Sequence, residues 1–264
     1  MERRTARSLN GLKADGQARL GTILGVGLLA LAGVMNTALA EVITLRSGQV
    51  GGLPGLATQL DDTVTFGNTV VTGPLSASPF TAGDFNAAAA NPAIVINPYY
   101  AWVSTLSFDP QARWIGTGLY NTGDPNLPPD MGAPASALYR APFTVTTTGI
   151  TSATLSIAWA CDDSLGDLAF GGANPFGAYL RDPSGNVTAL NLVSGGGFSV
   201  ESQVLNLNIT SAIGTGANEL FLYQRDQGVG IAGLIFSAEM RVVPAPGVAA
   251  AAGLSCLAAF RRRR

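Results

Sequence analysis

The chain has 264 residues, 47% hydrophobic and only 12% charged, with 33 glycines, two cysteines and no histidine. A charged fraction about half the usual ~25%, joined to this apolar content, excludes disorder over most of the length; the missing histidine excludes imidazole bases, Ser-His-Asp and Cys-His nucleophiles and His-ligated zinc. Residues 41–243 hold six arginines, no lysine and fifteen carboxylates, a net charge of −9, which argues against nucleic acid and anionic lipid as partners of that segment.

Residues 1–40 read as a secretory signal. Arg3, Arg4, Arg7, Lys13 and Arg19 lead into an apolar run over 22–35, followed by Ala38-Leu39-Ala40. Small residues at Ala38 and Ala40 are what signal peptidase requires, and cleavage would leave Glu41 as the new N-terminus. The competing reading is a buried or membrane-spanning helix, for which the run is short.

Between 41 and 243 no 3.6-residue apolar period is sustained, and short alternating runs separated by Gly, Pro, Asn and Asp take its place. Strands are expected over 64–71, 113–116, 138–145, 153–159, 176–181, 187–193, 198–207, 219–223 and 234–243. Within 153–159 the odd positions are the large ones, which puts Trp159 in the core. The run Glu219-Leu220-Phe221-Leu222-Tyr223 is apolar on both faces and suits a central strand. In the last strand Leu234, Phe236, Ala238, Met240 and Val242 alternate with Ile235, Ser237, Glu239, Arg241 and Val243, which predicts one solvated face. Residues 121–135 form a Pro-rich connector, and the alanines at 87–90 permit one short helix. The expected class is all-β, an antiparallel β-sandwich of jelly-roll type, flanked by the signal-peptide helix and a C-terminal hydrophobic helix. With Cys256 in the tail, Cys161 is the one cysteine of the body and reads as a small buried hydrophobe.

The C-terminus, 244–264, has three parts: Pro244-Ala245-Pro246, an apolar stretch over 248–260, and Arg261, Arg262, Arg263 and Arg264. This tail resembles the PEP-CTERM sorting signal of exported bacterial proteins, with Ala245 standing where Glu is commonest. The resemblance implies that the tail holds the protein in the membrane until an exosortase processes it near the Pro motif. A plain anchor that is never cut is the alternative. In the body, Ala112-Arg113-Trp114-Ile115, then Leu138-Tyr139-Arg140-Ala141-Pro142-Phe143-Thr144-Val145, then Trp159-Ala160-Cys161-Asp162-Asp163 are similar in layout to the jelly-roll modules that accompany this tail. Those modules are galactose-binding-like, and the likeness, over residues 57–243, implies a carbohydrate-binding type of fold.

Two constellations are candidates for chemistry. Asp162, Asp163 and Asp167 lie within six residues and offer oxygen ligands to a structural Ca²⁺; alternatively they cap a tight turn in solvent. A glycosidase pair would need a second carboxylate from another loop, such as Asp109, Asp130 or Asp226. Tyr99, Tyr100, Trp102, Trp114 and Tyr120 form the second set: aromatic faces on which the C–H faces of sugars stack, unless the rings, Trp114 first among them, plug the core. The expectation is a non-catalytic protein of the cell envelope, outer surface or extracellular matrix, binding extracellular polysaccharide and moored in the membrane by its tail. Signal peptidase and an exosortase-type enzyme would be its processing partners, and nucleic acid would not be a partner. A self-associating structural or adhesive protein without a small ligand is the main alternative, and a glycoside-active enzyme a lesser one.

Overall fold

The computed structural model describes residues 39–118, 135–192, 197–228 and 231–245. Strands dominate them. In chain order these are β1 (Glu41–Arg46), β2 (Gln49–Val50), β3 (Leu53–Pro54), β4 (Leu60–Val70), β5 (Asn91–Val95), β6 (Ile115–Gly116) and β7 (Ser136–Val145). Then follow β8 (Ile150–Asp162), β9 (Ser164–Leu165), β10 (Ala178–Arg181), β11 (Val187–Leu190), β12 (Ser202–Asn208), β13 (Gly216–Arg225) and β14 (Gly233–Pro244). One short helix, α1 (Ala82–Ala87), interrupts them. The chain is all-β, built on a large curled antiparallel sheet in the order β11-β10-β13-β7-β4-β5-β6-β14-β8-β12, with β1 beside β14 and β9 beside β13. The signal segment over 1–38, most of the Pro-rich connector and the tail from 246 lie outside the described residues. No helix among the described residues is long and apolar enough to cross a membrane.

The curl follows from where the alternating side chains go. Leu155, Ile157, Trp159 and Cys161 of β8 share one cluster with Leu234, Phe236 and Met240 of β14, and with Leu220 and Leu222 of β13 from the other flank. Inward residues of both flanks thus meet in one core, while β1 adds Ile43 and Leu45. The opposite faces are covered as well. Ala158, Ala160 and Ile235 pack beneath Trp102, Leu106 and Trp114 of the loop leading into β6. Phe221 and Tyr223 pack beneath Phe85 and Phe80 of the α1 region. Expected alternation in β8 and β14 and two-faced burial in β13 therefore hold, with one amendment. Ile235 and Ser237 are fully buried, so the solvated face of β14 is confined to its far half, where Arg241 and Val243 are exposed.

The helix lies N-terminal to the alanine run. The Asp84 carboxylate accepts from both the N–H and the hydroxyl of Thr81, at 2.7 Å each, which fixes the helix start there. The backbone leaves the helix at Ala88 and turns into β5. Across β7, β13 and β10, Glu219 bridges Arg140 and Arg181; both arginines hold its carboxyl below the usual range, against the effect of its burial.

Strand polarity gives the body two distinct ends. Glu41 lies opposite Val242 and Pro244 opposite Ile150. The Ala245 N–H donates to Gly149 O at 2.7 Å, and the Glu41 carboxylate accepts from the N–H of Thr146 and Thr147. The chain therefore enters β1 and leaves β14 side by side. At the other end Gly233 lies opposite Asp162, and Gln224 opposite Ala137. Twelve residues of β14 separate the two ends by about 36 Å at ~3.3 Å per residue.

Candidate binding site

The end away from the chain exits is built from the close of β8, the close of β13 and the loop before β6. Asp162 ends β8, Asp163 follows it, and Asp226 follows β13. The peptide bond between Asp162 and Asp163 is cis. Asp226 is brought in by its backbone: its N–H donates to Ser136 Oγ at 2.9 Å, and its carbonyl accepts from the Gly73 N–H at 2.7 Å. The loop arrives through Trp102, whose ring lies against Gly233, the residue paired with Asp162.

Electrostatically the three acids are one group. Burial, then the neighbouring Asp163 carboxyl, then the charge of Asp226 push the Asp162 carboxyl up to about 8, with Trp102 opposing. Burial and the charge of Asp163 push Asp226 up to about 6, against backbone bonds from Gly228 and Thr72. Asp226 is only 1% exposed, and its Oδ2 is buried with no hydrogen-bond partner. Among the described residues no ion pair involves any of the three.

The expected calcium set of Asp162, Asp163 and Asp167 does not assemble, and the correction has a clear cause. Asp167 is fully buried and points to the other side, where Arg225 Nη1 and the Tyr223 hydroxyl both donate to Oδ1 at 2.9 Å and the Asn174 N–H donates to Oδ2 at 3.0 Å. A carboxylate already engaged by a buried guanidinium is not available to a cation. Among the described residues no group of three acidic, His or Cys side chains is arranged to hold a metal ion. Asp162 is buried and so is no solvated turn cap, whereas half-buried Asp163 does bond to backbone, accepting the Gln227 N–H at 2.6 Å. Between Asp163 and Asp167, Gly166 has φ +78°, and a Cβ there would sit 2.6 Å from Pro175 O. Gly166→Ala is expected to destabilise the fold by about 2 kcal/mol or more, read as a lowered urea midpoint with unchanged slope.

The aromatic set divides. Trp114 is 1% exposed and donates its indole N–H to Val103 O at 2.7 Å. Trp102 is 6% exposed and lies against Trp114 with centroids 4.2 Å apart. Both fill the layer over Ala158, Ala160 and Ile235 as core plugs with no face open to a sugar, as the alternative reading had it for Trp114 and as a correction for Trp102. Tyr99 is half-buried against Trp102, at 6.5 Å, and Tyr100 is 78% exposed with its ring 4.3 Å from that of Tyr99. Tyr120, with Ala38, Pro246 and Arg261 to Arg264 of the processing signals, lies outside the described residues; Ala40 is exposed just before β1, and Pro244 closes β14. Of the candidate partner acids, Asp226 reaches the cluster. Asp109 is instead paired with Arg46 and accepts from Ser237 Oγ at 2.9 Å, and Asp130 is outside the described residues.

No protein-family model matches the chain, and no curated protein is significantly similar to it. Among solved structures there is a likeness to the structure of infectious bursal disease virus, Gx strain, at 13% identity and a TM-score of 0.24. It covers 80% of this chain and 58% of that one, so the chain spans less than two thirds of its neighbour's length. At that score no shared fold follows.

Proposed function

We propose that the chain is an exported, membrane-moored surface protein whose body is a non-catalytic jelly-roll sandwich that binds extracellular polysaccharide. The observation that carries this reading is the polarity of the body. The chain enters at Glu41 and leaves at Ala245 on one end, next to the sequences read as signal peptide and PEP-CTERM-like tail. Exposed Tyr100, Tyr99 and the acid cluster occupy the other end, about 36 Å off. A body hung by its proximal end presents its distal loops to whatever lies outside the membrane. Signal peptidase cleavage before Glu41 would leave β1 whole, and exosortase processing near Pro244 would leave β14 whole.

Burial argues against these acids as a glycosidase pair. Glycosidase carboxyls flank a sugar across ~5–9 Å, whereas Asp162 and Asp226 are 7% and 1% exposed. Affinity electrophoresis of the full chain in detergent, through gels cast with neutral and charged bacterial polysaccharides, tests the reading. Retardation by at least one polymer, reduced by Tyr100→Ala, is expected; unretarded migration on every polymer would overturn the binding claim and favour the self-associating alternative.

A further inference from the structure

The sheet has two ends, and they differ. At one, β12 is bulged: its register on β8 shifts between Val204 and Leu207, with Asn206 at φ +55°. A bulge twists an edge away from further pairing. At the other end, β11 pairs with β10 residue for residue, from Arg181 opposite Val187 to Ala178 opposite Leu190. Its run Val187-Thr188-Ala189-Leu190 holds no charge, proline or bulge, the usual guards of a sheet edge. Among the described residues no strand lies on its outer side.

The turn before β11 fixes which way its peptide groups point. The Gly185 N–H donates to Asp182 O at 2.9 Å, with Gly185 at φ +86°, and the Asp182 N–H donates to Asn186 O at 3.0 Å. Asp182 and Asn186 thus close the hairpin as a hydrogen-bonded pair. Such pairs alternate along an antiparallel ladder, so the next is Leu180 with Thr188. Thr188 turns its N–H and C=O to β10, whereas Val187 and Ala189 turn theirs to the open side. Val187, 38% exposed, and exposed Ala189 also share one sheet face, where they border an apolar hollow with Phe80, Phe176 and Tyr179.

An antiparallel partner for this edge must present outward peptide groups on alternate residues, with its apolar side chains on the matching face. The strand meets both conditions itself. A two-fold axis through Thr188 sets Val187 opposite Ala189 of the second copy and Ala189 opposite its Val187. Each is then a hydrogen-bonded pair of outward-pointing residues, and the side chains of both lie on the face of the hollow, so the two hollows adjoin. We propose that a second copy of this chain docks on β11, continuing the sheet through an antiparallel β11–β11 seam centred on Thr188. Such a seam is isologous and closes after two copies. It is independent of the polysaccharide reading.

The test is sedimentation equilibrium of the full chain in density-matched detergent, where a reversible dimer is expected at micromolar concentration. Ala189→Pro removes an outward N–H from each copy without touching the β10 ladder, and Val187→Lys places a charge on the edge. Each is expected to raise the dissociation constant at least about tenfold with an unchanged far-UV spectrum. Should the proline variant fail to fold, the lysine variant decides. Leu205→Lys, at an exposed position of β12, should leave the dimer as it is. The register is read by cross-linking in a Cys256→Ser background. Residues facing each other outside the hydrogen-bonded pairs have Cα atoms about 4.5 Å apart, within disulfide reach, so Thr188→Cys should oxidise to a covalent dimer faster than Val187→Cys. A monomer at every concentration would overturn the proposal. So would a dimer insensitive to both β11 variants, which would assign association to another surface, or one equally weakened by Leu205→Lys. Faster cross-linking through Val187→Cys would overturn the two-fold at Thr188.

Discussion

Asp167→Ala is expected to cost about 3–5 kcal/mol of folding stability, the usual price of stripping one partner from a buried ion pair. Asp167 is 0% and Arg225 5% exposed, and the guanidinium Nε is already buried without a partner. Removing the carboxylate would leave a charged group in the protein with only Gly171 O and the Phe170 ring, 5.2 Å away, to face it. It would also free the donors of Tyr223 and Asn174. The segment from Asp167 to Asn174 is held to β13 by these contacts, so its amide protons should exchange faster in the variant. For a body of this size the loss corresponds to a fall in thermal midpoint of roughly 10 °C. Asp167→Asn keeps an acceptor for Tyr223 but not the charge, and should fall between the two. A loss below about 1 kcal/mol for the alanine variant would mean that Arg225 finds another partner.

The second large effect is on pH dependence. Asp162 is pushed up to about 8 and Asp226 to about 6, from ordinary carboxyl values near 4. A raised folded-state value means that the unfolded chain releases its proton first as pH rises. The contribution is therefore fully present below about pH 4 and is lost progressively until pH 8. Glu219 and Asp109 act oppositely. Their arginine partners lower both carboxyls, so that stabilisation is lost only on acidification. Stability should peak near pH 5 and decline by at least about 2 kcal/mol toward pH 9. Asp162→Asn retains a donor toward Asp163 without an ionisable proton. It should flatten the alkaline decline and leave stability at pH 5 little changed, as read from urea midpoints across the range. A wild-type curve that is level or rising from pH 5 to 9 would contradict the assignment of a protonated, buried Asp162.

Much of the fold was legible because side-chain period reports burial directly. Trp159 facing the core, the alternation of Leu234 through Val242 and the two-faced run at Leu220 to Tyr223 were all readable from local pattern. Elements set by tertiary context were not. Strand β1 pairs its short sequence with β14 across almost two hundred residues, and the helix start depends on Thr81 and Asp84 rather than on the alanines beyond it. The site failed for the same reason. Sequence proximity grouped Asp167 with Asp162 and Asp163, but a long-range partner, Arg225, turned it away. Asp226 entered in its place through an isolated bridge to Gly73, a contact that local spacing does not encode. Trp114, in an expected strand, was readable as a plug, whereas Trp102 carried no local mark separating platform from plug, because that depends on which sheet face the loop covers.

The most direct measurement is labelling of Tyr100→Cys on intact cells with a membrane-impermeant maleimide, in a chain carrying Cys256→Ser so that the remaining Cys161 is fully buried. The account predicts strong labelling before lysis, since Tyr100 is exposed at the end farthest from the chain exits. Labelling that occurs only after the cells are broken open would place the body inside and contradict the account.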